Sequence, residues 1–98
     1  MLYRVDWHMP NNTHRDDIFS RFIESSENPV YKLPDGLAMI GRWHDVGALR
    51  GTSIWETEDV ELLVQWMQHW NDKLQMDITP CVDDDSAARI VSKALYLT

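Results

Sequence analysis

Residues 36–72, GLAMIGRWHDVGALRGTSIWETEDVELLVQWMQHWND, decide how this chain folds. The segment begins with an extended run that ends in GRWHD, crosses a glycine-bearing turn and continues as a second extended run, GTSIWETE. Two runs this close together, the second rich in β-branched and aromatic residues, predict a β-hairpin. The remainder, DVELLVQWMQHWND, repeats apolar residues at helical spacing and predicts an amphipathic helix. Because its apolar stripe is wide, we expect this helix to be covered on more than one side.

The flanking sequence predicts further strands and helices. Residues 2–8 alternate between apolar and polar side chains, which is the period of a strand with one buried face. Thr13, with Asp16 three residues later, is the predicted N-cap of a first helix. Pro80 confines the last strand to a sheet edge. The expected strands are residues 2–8, 37–44, 52–56 and 74–82, and the expected helices are residues 13–26, about 59–72 and about 84–96.

This order of elements predicts the fold class. The sequence β-α-β-β-α-β followed by a helix is the ferredoxin-like order of an α+β protein, with a four-stranded antiparallel sheet and helices on one face. A chain of 98 residues is expected to form a single domain, residues 1–98. The acidic run of residues 83–85 precedes the terminal helix and is interpreted as its N-terminal cap rather than as a metal site. The apolar stripe of that helix is expected to be buried.

Composition limits the possible partners. The formal net charge is −7 and the sequence pI is about 4.8, so nucleic acid and anionic membrane surfaces are not expected as partners. Cys81 is the single cysteine, which excludes an internal disulfide and a cysteine-rich zinc module. The first residues contain no apolar stretch of signal-peptide length, and the predicted location is the cytoplasm. Because a chain this short has a small core, a homodimer would add useful burial.

Four motifs in order resemble a known family. They are MLYRVDW at residues 1–7, GRWHD at 41–45, WETEDVELLVQWMQHWND at 55–72 and ITPCVDDDSA at 78–87. Together they resemble the domain-of-unknown-function family 3303, within the dimeric α+β barrel superfamily. The resemblance implies a ferredoxin-like protomer that pairs sheet to sheet as a homodimer. It assigns no catalytic residues, because that family has no established chemistry. The wider superfamily includes cofactor-free monooxygenases, haem-binding enzymes, lactone isomerases and proteins without known activity.

The topology predicts where polar residues gather. His8 and His44 end their strands at one sheet edge, to which Thr52 and Asp77 also approach. Strict alternation places one set of polar side chains on the sheet face opposite Val5, so that this face is expected to be unusually polar. The members of this set are Arg4, Asp6, Arg42 and His44, whereas Trp7, Met39 and Trp43 are expected on the Val5 face. Such a face is either a dimer interface of paired charges or a pocket for a small polar ligand.

For the pocket, His44 is the candidate catalytic acid or base, because histidine has an unperturbed pKa close to neutrality. The candidate ligand-binding residues are His8, Arg42, Trp43, Thr52, Trp66, Trp70 and Asp77. The histidine spacing favours no metal site, and no cofactor is predicted. Trp66 and Trp70 at helical spacing are more often core residues than a cofactor platform.

Two functional hypotheses follow. The first is a small homodimeric protein of uncharacterised function that binds a small molecule or serves a structural role. The alternative is a cofactor-free, monooxygenase-like or isomerase-like enzyme acting on a small organic molecule with His44 as acid/base. A pocket of ligand size between sheet and helices, reached by His44, would favour the enzyme. A face filled by reciprocal side chains would favour the binding module.

Overall fold

The computed structural model describes residues 1–96. A four-stranded sheet carries two helices on one face, and a third helix follows the last strand. The strands are β1 (Leu2–His8), β2 (Leu37–Asp45), β3 (Arg50–Thr57) and β4 (Gln75–Cys81), and the helices are α1 (Arg15–Glu24), α2 (Val60–Met67) and α3 (Asp84–Tyr96). The strand order is β2-β3-β1-β4 and every pairing is antiparallel. The predicted ferredoxin-like α+β class is confirmed.

The core lies between the sheet and the helices. Val5 in β1 and Trp55 in β3 are both 0 % exposed, and Leu63 of α2 packs against them at 0 %. The indole of Trp55 donates a hydrogen bond to Ser53 Oγ at 2.7 Å, so this polar group is satisfied inside the core. The alternation of β1 therefore buries the face that its sequence pattern predicts.

Helix α2 is shorter than predicted. It begins after Asp59, whose carboxylate accepts from the Glu61 N–H at 3.0 Å, and it ends at Met67 rather than near residue 72. The chain then continues through turns, in which the Trp70 N–H donates to the Met67 carbonyl at 3.0 Å. Val64 on the outer side of α2 is 42 % exposed, so within a single chain the helix is covered on one side only.

Helix α1 begins two residues after the predicted cap. Thr13 donates its N–H to Asn11 Oδ1 at 2.9 Å in a local turn, and His14 occupies the cap position without a side-chain hydrogen bond. The helix is anchored by Arg21, whose guanidinium donates to both carboxylate oxygens of Asp72 at 2.7 and 2.9 Å. This bidentate contact lowers the pKa of the Asp72 carboxyl. It fixes α1 to the turn that follows α2.

Helix α3 has the predicted bounds but not the predicted burial. Asp83 Oδ1 accepts from the Ser86 N–H at 2.8 Å, which confirms the capping role of the acidic run and lowers the pKa of Asp83. No residue of α3 is buried, and the apolar Ile90 and Leu95 are 57 % and 67 % exposed. The expectation of a buried stripe is therefore wrong for the single chain.

A β-bulge in β2 overturns the predicted polar face. Met39 pairs with Trp55 whereas Gly41 pairs with Ile54, so Ile40 is an extra residue and the alternation shifts by one. After the bulge, Arg42 pairs with Ser53 and therefore lies on the helix-covered face, as does His44 two residues later. Trp43 lies on the open face instead. The bulge thus separates the charged residues that strict alternation had grouped together.

Candidate functional site

A cavity of about 430 Å³ lies between α1 and the sheet. Its walls come from α1, from all four strands and from the turns that follow α2, and they are predominantly apolar. The side chains that enclose most of it are Trp7, Phe19, Phe22, Trp66, Trp70 and Met76. A volume of about 300–1,000 Å³ lined by aromatic residues with a few polar groups is typical of a small-molecule site.

Together with Arg50, Arg42 supplies positive charge to the lining of this cavity. Its guanidinium carbon lies 5.1 Å from the centroid of the Phe22 ring, so a cation–π contact joins β2 to α1. Within residues 1–96 the guanidinium makes no ion pair with a carboxylate. Desolvation by burial lowers the pKa of Arg42, because the charged form loses water without gaining a counter-ion.

His44 lies beside Arg42 at the rim of the cavity. Its ring is 4.9 Å from Phe22 and meets Trp7 edge-on at 5.5 Å. Desolvation, together with the charge of Arg42, lowers the pKa of His44 below its ordinary value of 6.5. The imidazole is therefore neutral near pH 7, with one nitrogen able to accept a proton and the other able to donate a hydrogen bond.

Gly51 makes room for the cavity wall. In the sheet it lies between His44 and Trp7, and a Cβ atom built at this position would collide with the Trp7 ring and with the backbone carbonyl of Trp43. The missing side chain lets the Trp7 indole lie flat across β3 and reach His44. The glycine is thus needed for close approach rather than for a turn.

The β2–β3 connection forms the mouth of the cavity. Asp45 Oδ2 accepts from Arg50 Nε at 3.1 Å, and Asp45 Oδ1 accepts from the Ala48 N–H at 3.2 Å. Leu49 has φ 56° and ψ 44°, a left-handed conformation that is uncommon for a leucine. Non-glycine residues in this region are found where the surrounding structure holds them, often beside functional sites.

Trp66 and Trp70 form the inner wall. They are 9 % and 5 % exposed, and their ring centroids are 6.2 Å apart. Both therefore belong to the core, as their spacing indicated, and both also line the cavity. The buried Nε1–H of Trp70 has no hydrogen-bond acceptor within residues 1–96. Tyr31, from the segment between α1 and β2, packs against Trp70 with ring centroids 5.6 Å apart.

A second, shallower groove lies on the open face of the sheet. The register places Trp43, Thr52, Asp6 and Asp77 in one row across the four strands, and His8 lies at the same edge. This confirms the predicted approach of Thr52 and Asp77 to the edge where His8 and His44 end their strands. Trp43 is 60 % exposed there, so the groove is open to solvent.

The predicted site residues therefore divide into two groups. The cavity is lined by Arg42, His44, Trp66 and Trp70, whereas the open groove is lined by His8, Trp43, Thr52 and Asp77. His44 borders both because it ends β2 at the shared edge. Sequence reasoning did not predict Trp7 or the α1 residues Phe19 and Phe22 as part of the site. The i, i+3 spacing of the two phenylalanines was the available signal, but the same spacing is typical of core packing.

Within residues 1–96, no three histidine, cysteine or carboxylate side chains are grouped closely enough to hold a metal ion. No helix in the same range has the length and apolar composition needed to cross a membrane.

These features define an α+β protein of ferredoxin-like fold with a ligand-sized cavity between its sheet and its first helix. The chain belongs to the family described as "Domain of unknown function (DUF3303)", which matches residues 1–95. The resemblance carried by the GRWHD and WETEDVELLVQWMQHWND motifs is thus confirmed at the level of the family. A comparison with curated proteins gives no match.

Proposed function

We propose that this protein is a small-molecule-binding module and that its ligand occupies the cavity between α1 and the sheet. One observation carries the proposal: a mainly apolar cavity of about 430 Å³ has a few polar side chains in its lining, among them Arg42 and His44. An apolar wall supplies binding free energy by burial, and a small number of polar groups fixes the orientation of the ligand. The open groove has less enclosure and would bury less of a ligand.

The tryptophans allow a direct test. Trp7, Trp66 and Trp70 line the cavity, Trp43 lies on the open face, and Trp55 is buried beneath the sheet. In ¹H–¹⁵N spectra each indole N–H gives its own signal, so titration with a library of small aromatic compounds reports the binding face. We expect shifts for the three cavity indoles and none for Trp43. Shifts confined to Trp43, or no shifts at all, would contradict the proposal.

His44→Ala provides a second test of the same site. The side chain is at the rim and contributes little to the core, so the variant should fold normally and bind cavity ligands more weakly. His14→Ala is the matched control, because His14 is exposed at the N-cap of α1 and makes no side-chain hydrogen bond there. Equal affinity of the two variants for a cavity ligand would remove His44 from the site.

A cofactor-free enzyme is the second candidate, and the state of His44 favours it. A neutral imidazole beside a guanidinium can accept a proton from a carbon acid while the cation stabilises the resulting enolate oxygen. In such a step the C–H electron pair forms the new carbon–carbon double bond, and the π electrons of the carbonyl group move to its oxygen. The protonated imidazole then transfers the proton to that oxygen. Net change is tautomerisation, which requires no oxidant.

Phenylpyruvate is a suitable probe of this activity, because it has an acidic C–H next to a carbonyl group and an aromatic ring for the cavity. Ultraviolet absorbance follows its keto–enol conversion. If His44 is the acid/base, His44→Gln should reduce the protein-dependent rate by about 10²-fold or more. An equal rate for the wild type and the variant would remove the enzyme hypothesis, while leaving binding untouched.

We further propose that the protein is a homodimer in which the open faces of two sheets meet. Ile40 and Trp43 of the edge strand β2 are 61 % and 60 % exposed, so they add large apolar surface to this side of the protein. Four strands about 4.8 Å apart and about seven residues long give a face of roughly 450 Å² in projection. A stable interface needs about 800 Å² per partner, and the exposed apolar stripe of α3 offers further area.

Light scattering tests the dimer. The wild type should have twice the chain mass at micromolar concentration. Trp43→Asp should shift the population to monomer, because a second copy would have to bury an unpaired carboxylate. Val30→Asp, at another exposed apolar residue outside the sheet, is the control and should stay dimeric. A monomeric wild type would remove this part of the proposal.

A further inference from the structure

Arg42 differs from the other arginines in lacking a partner. Arg21, the other arginine that is largely withdrawn from solvent, donates to the carboxylates of Asp17 and Asp72 at 2.7–2.9 Å. A carboxylate also lies within 4.0 Å of each of three other arginines, Arg4, Arg15 and Arg50. Within residues 1–96 the Arg42 side chain makes neither an ion pair nor a hydrogen bond, although the chain has sixteen acidic residues.

The surroundings of Arg42 do not supply an acceptor. The Phe22 ring, 5.1 Å away, attracts the cation through its face but accepts no conventional hydrogen bond. Asp45 is the one acidic residue among the cavity-lining side chains of residues 1–96, and it already accepts from Arg50 Nε at 3.1 Å. Ser53 Oγ, beneath Arg42, accepts from the Trp55 indole at 2.7 Å. Within residues 1–96, none of these neighbouring groups accepts a hydrogen bond from the guanidinium.

A second donor in the same wall is also unsatisfied. Trp70 is 5 % exposed, and its Nε1–H has no acceptor within residues 1–96. Buried polar groups in folded proteins are almost always hydrogen-bonded, so an orphan donor on a residue of the cavity lining is unusual. The cavity therefore has an excess of hydrogen-bond donors and of positive charge.

We infer that the ligand of this cavity is an organic anion: a carboxylate attached to a compact apolar, preferably aromatic, body. The carboxylate pairs with Arg42, which offers the planar donor geometry that carboxylates match, and the body lies between the α1 phenylalanines and the tryptophan wall. This inference rests on the proposed function, since it specifies the ligand of the proposed binding site. The net charge of the chain is −7, which repels anions in general. A site that nevertheless binds an anion therefore selects it through specific contacts.

Isosteric pairs of probes test the charge requirement. Benzoate is compared with benzamide, and phenylacetate with phenylacetamide, by calorimetry and by the indole signals of Trp7, Trp66 and Trp70. Each carboxylate should bind at least about tenfold more tightly than its amide, because a hydrogen bond to a charged group is stronger than a neutral one. Raising the salt concentration should weaken carboxylate binding and leave amide binding unchanged.

Three variants locate the preference on Arg42. Arg42→Met should lower the affinity for each carboxylate about tenfold or more, to that of the amide, without changing the amide affinity. Arg42→Lys should restore part of the loss, because the charge returns without the planar fork. Arg15→Met is the matched control: Arg15 also lies 5.1 Å from a phenylalanine ring, that of Phe19, but outside the cavity lining. It should bind both probes as the wild type does.

The outcomes separate this inference from the proposed function. If amides and carboxylates shift the cavity indoles with equal affinity, the binding module stands and the anion inference is wrong. The same holds if Arg42→Met keeps the carboxylate preference. Should neither kind of probe reach the cavity indoles at millimolar concentration, both proposals fall. If Arg42→Met does not fold, the comparison of Arg42→Lys with wild type across the same probe pairs decides the question.

Discussion

The arginines on the two faces of the sheet have different kinds of partner. On the open face, Arg4 Nε donates to Asp6 Oδ2 at 2.9 Å, and the two side chains are 51 % and 44 % exposed. On the covered face, Arg42 lies against the Phe22 ring and has no carboxylate partner among residues 1–96. An exposed pair contributes at most about 1 kcal/mol and is screened by salt, so the open-face pair is an ordinary surface feature. An unpaired cation next to a cavity has no such explanation, which is why we assign the site to the covered face.

The largest expected contrast between the faces concerns their tryptophans. Trp55→Ala should destabilise the protein by about 3–5 kcal/mol, because the side chain is 0 % exposed and packs against Trp66 with ring centroids 4.5 Å apart. Trp43→Ala, at 60 % exposure, should cost less than about 1 kcal/mol within one chain. Urea unfolding at low protein concentration measures both. Equal losses would show that the two faces are buried to the same degree.

Gly51 gives the next effect. Gly51→Ala should cost about 1–3 kcal/mol, since the added Cβ meets the Trp7 ring and backbone that cannot move freely. The Trp7 indole signal should shift at the same time, because the ring must leave the cavity wall. Gly47→Ala is the control, where the nearest atom to the new Cβ is Asp45 Oδ1 at 3.9 Å. Its stability should stay within about 1 kcal/mol of the wild type. An equally stable Gly51→Ala would remove the close-approach argument.

Deleting Ile40 tests whether the bulge in β2 is needed for ligand binding. Ile40 is the extra residue between Met39 and Gly41, and it is 61 % exposed. Its removal should leave a regular strand in which Arg42 still pairs with Ser53. We expect a folded protein that loses about 1 kcal/mol or less and retains Arg42-dependent carboxylate binding. Loss of that binding in a folded deletion variant would show that the bulge itself is needed to direct Arg42.

The smallest effect is the pH dependence of stability through His44. The pKa of His44 is lower in the folded state than the ordinary value of 6.5, so the unfolded chain binds more protons below that pH. The free energy of unfolding should therefore decrease as the pH drops below about 6.5. The contribution of His44 to this decrease ends once the pH is below the pKa of His44 in the folded protein. Besides desolvation, the charge of Arg42 contributes to the lowered pKa of His44. The groove that His44 also borders carries the carboxylates of Asp6, Asp45 and Asp77 and the cation of Arg50.

Unfolding of wild type and His44→Gln at pH 7.5 and pH 5 measures this effect. The free energy of unfolding of His44→Gln minus that of the wild type should increase on acidification, because glutamine does not titrate. A constant difference between the two proteins at both pH values would show that the imidazole is not desolvated in the fold.

Local pattern determined most of the fold. Three features depend only on near neighbours in sequence: the alternation in β1, the two extended runs around GRWHD and the acidic cap before α3. The structure contains all three. The order of these elements then leaves few possible topologies, because antiparallel neighbours and short connections are favoured. Membership in the family followed from the same residues. The end of α2 at Met67 was less predictable, since helix ends depend on tertiary packing as well as on propensity.

Which face each polar residue occupies was decided only by the tertiary structure. A single extra residue, Ile40, reverses the alternation after it, and nothing in the spacing of apolar residues marks a bulge. The sequence could therefore name Arg42, His44, Trp43 and Thr52 as site residues but could not separate the first two from the last two. The cavity itself arises where α1, held by Arg21 against Asp72, lies over the sheet at a distance that leaves space between them. That distance depends on contacts between residues about fifty positions apart, which no local pattern records.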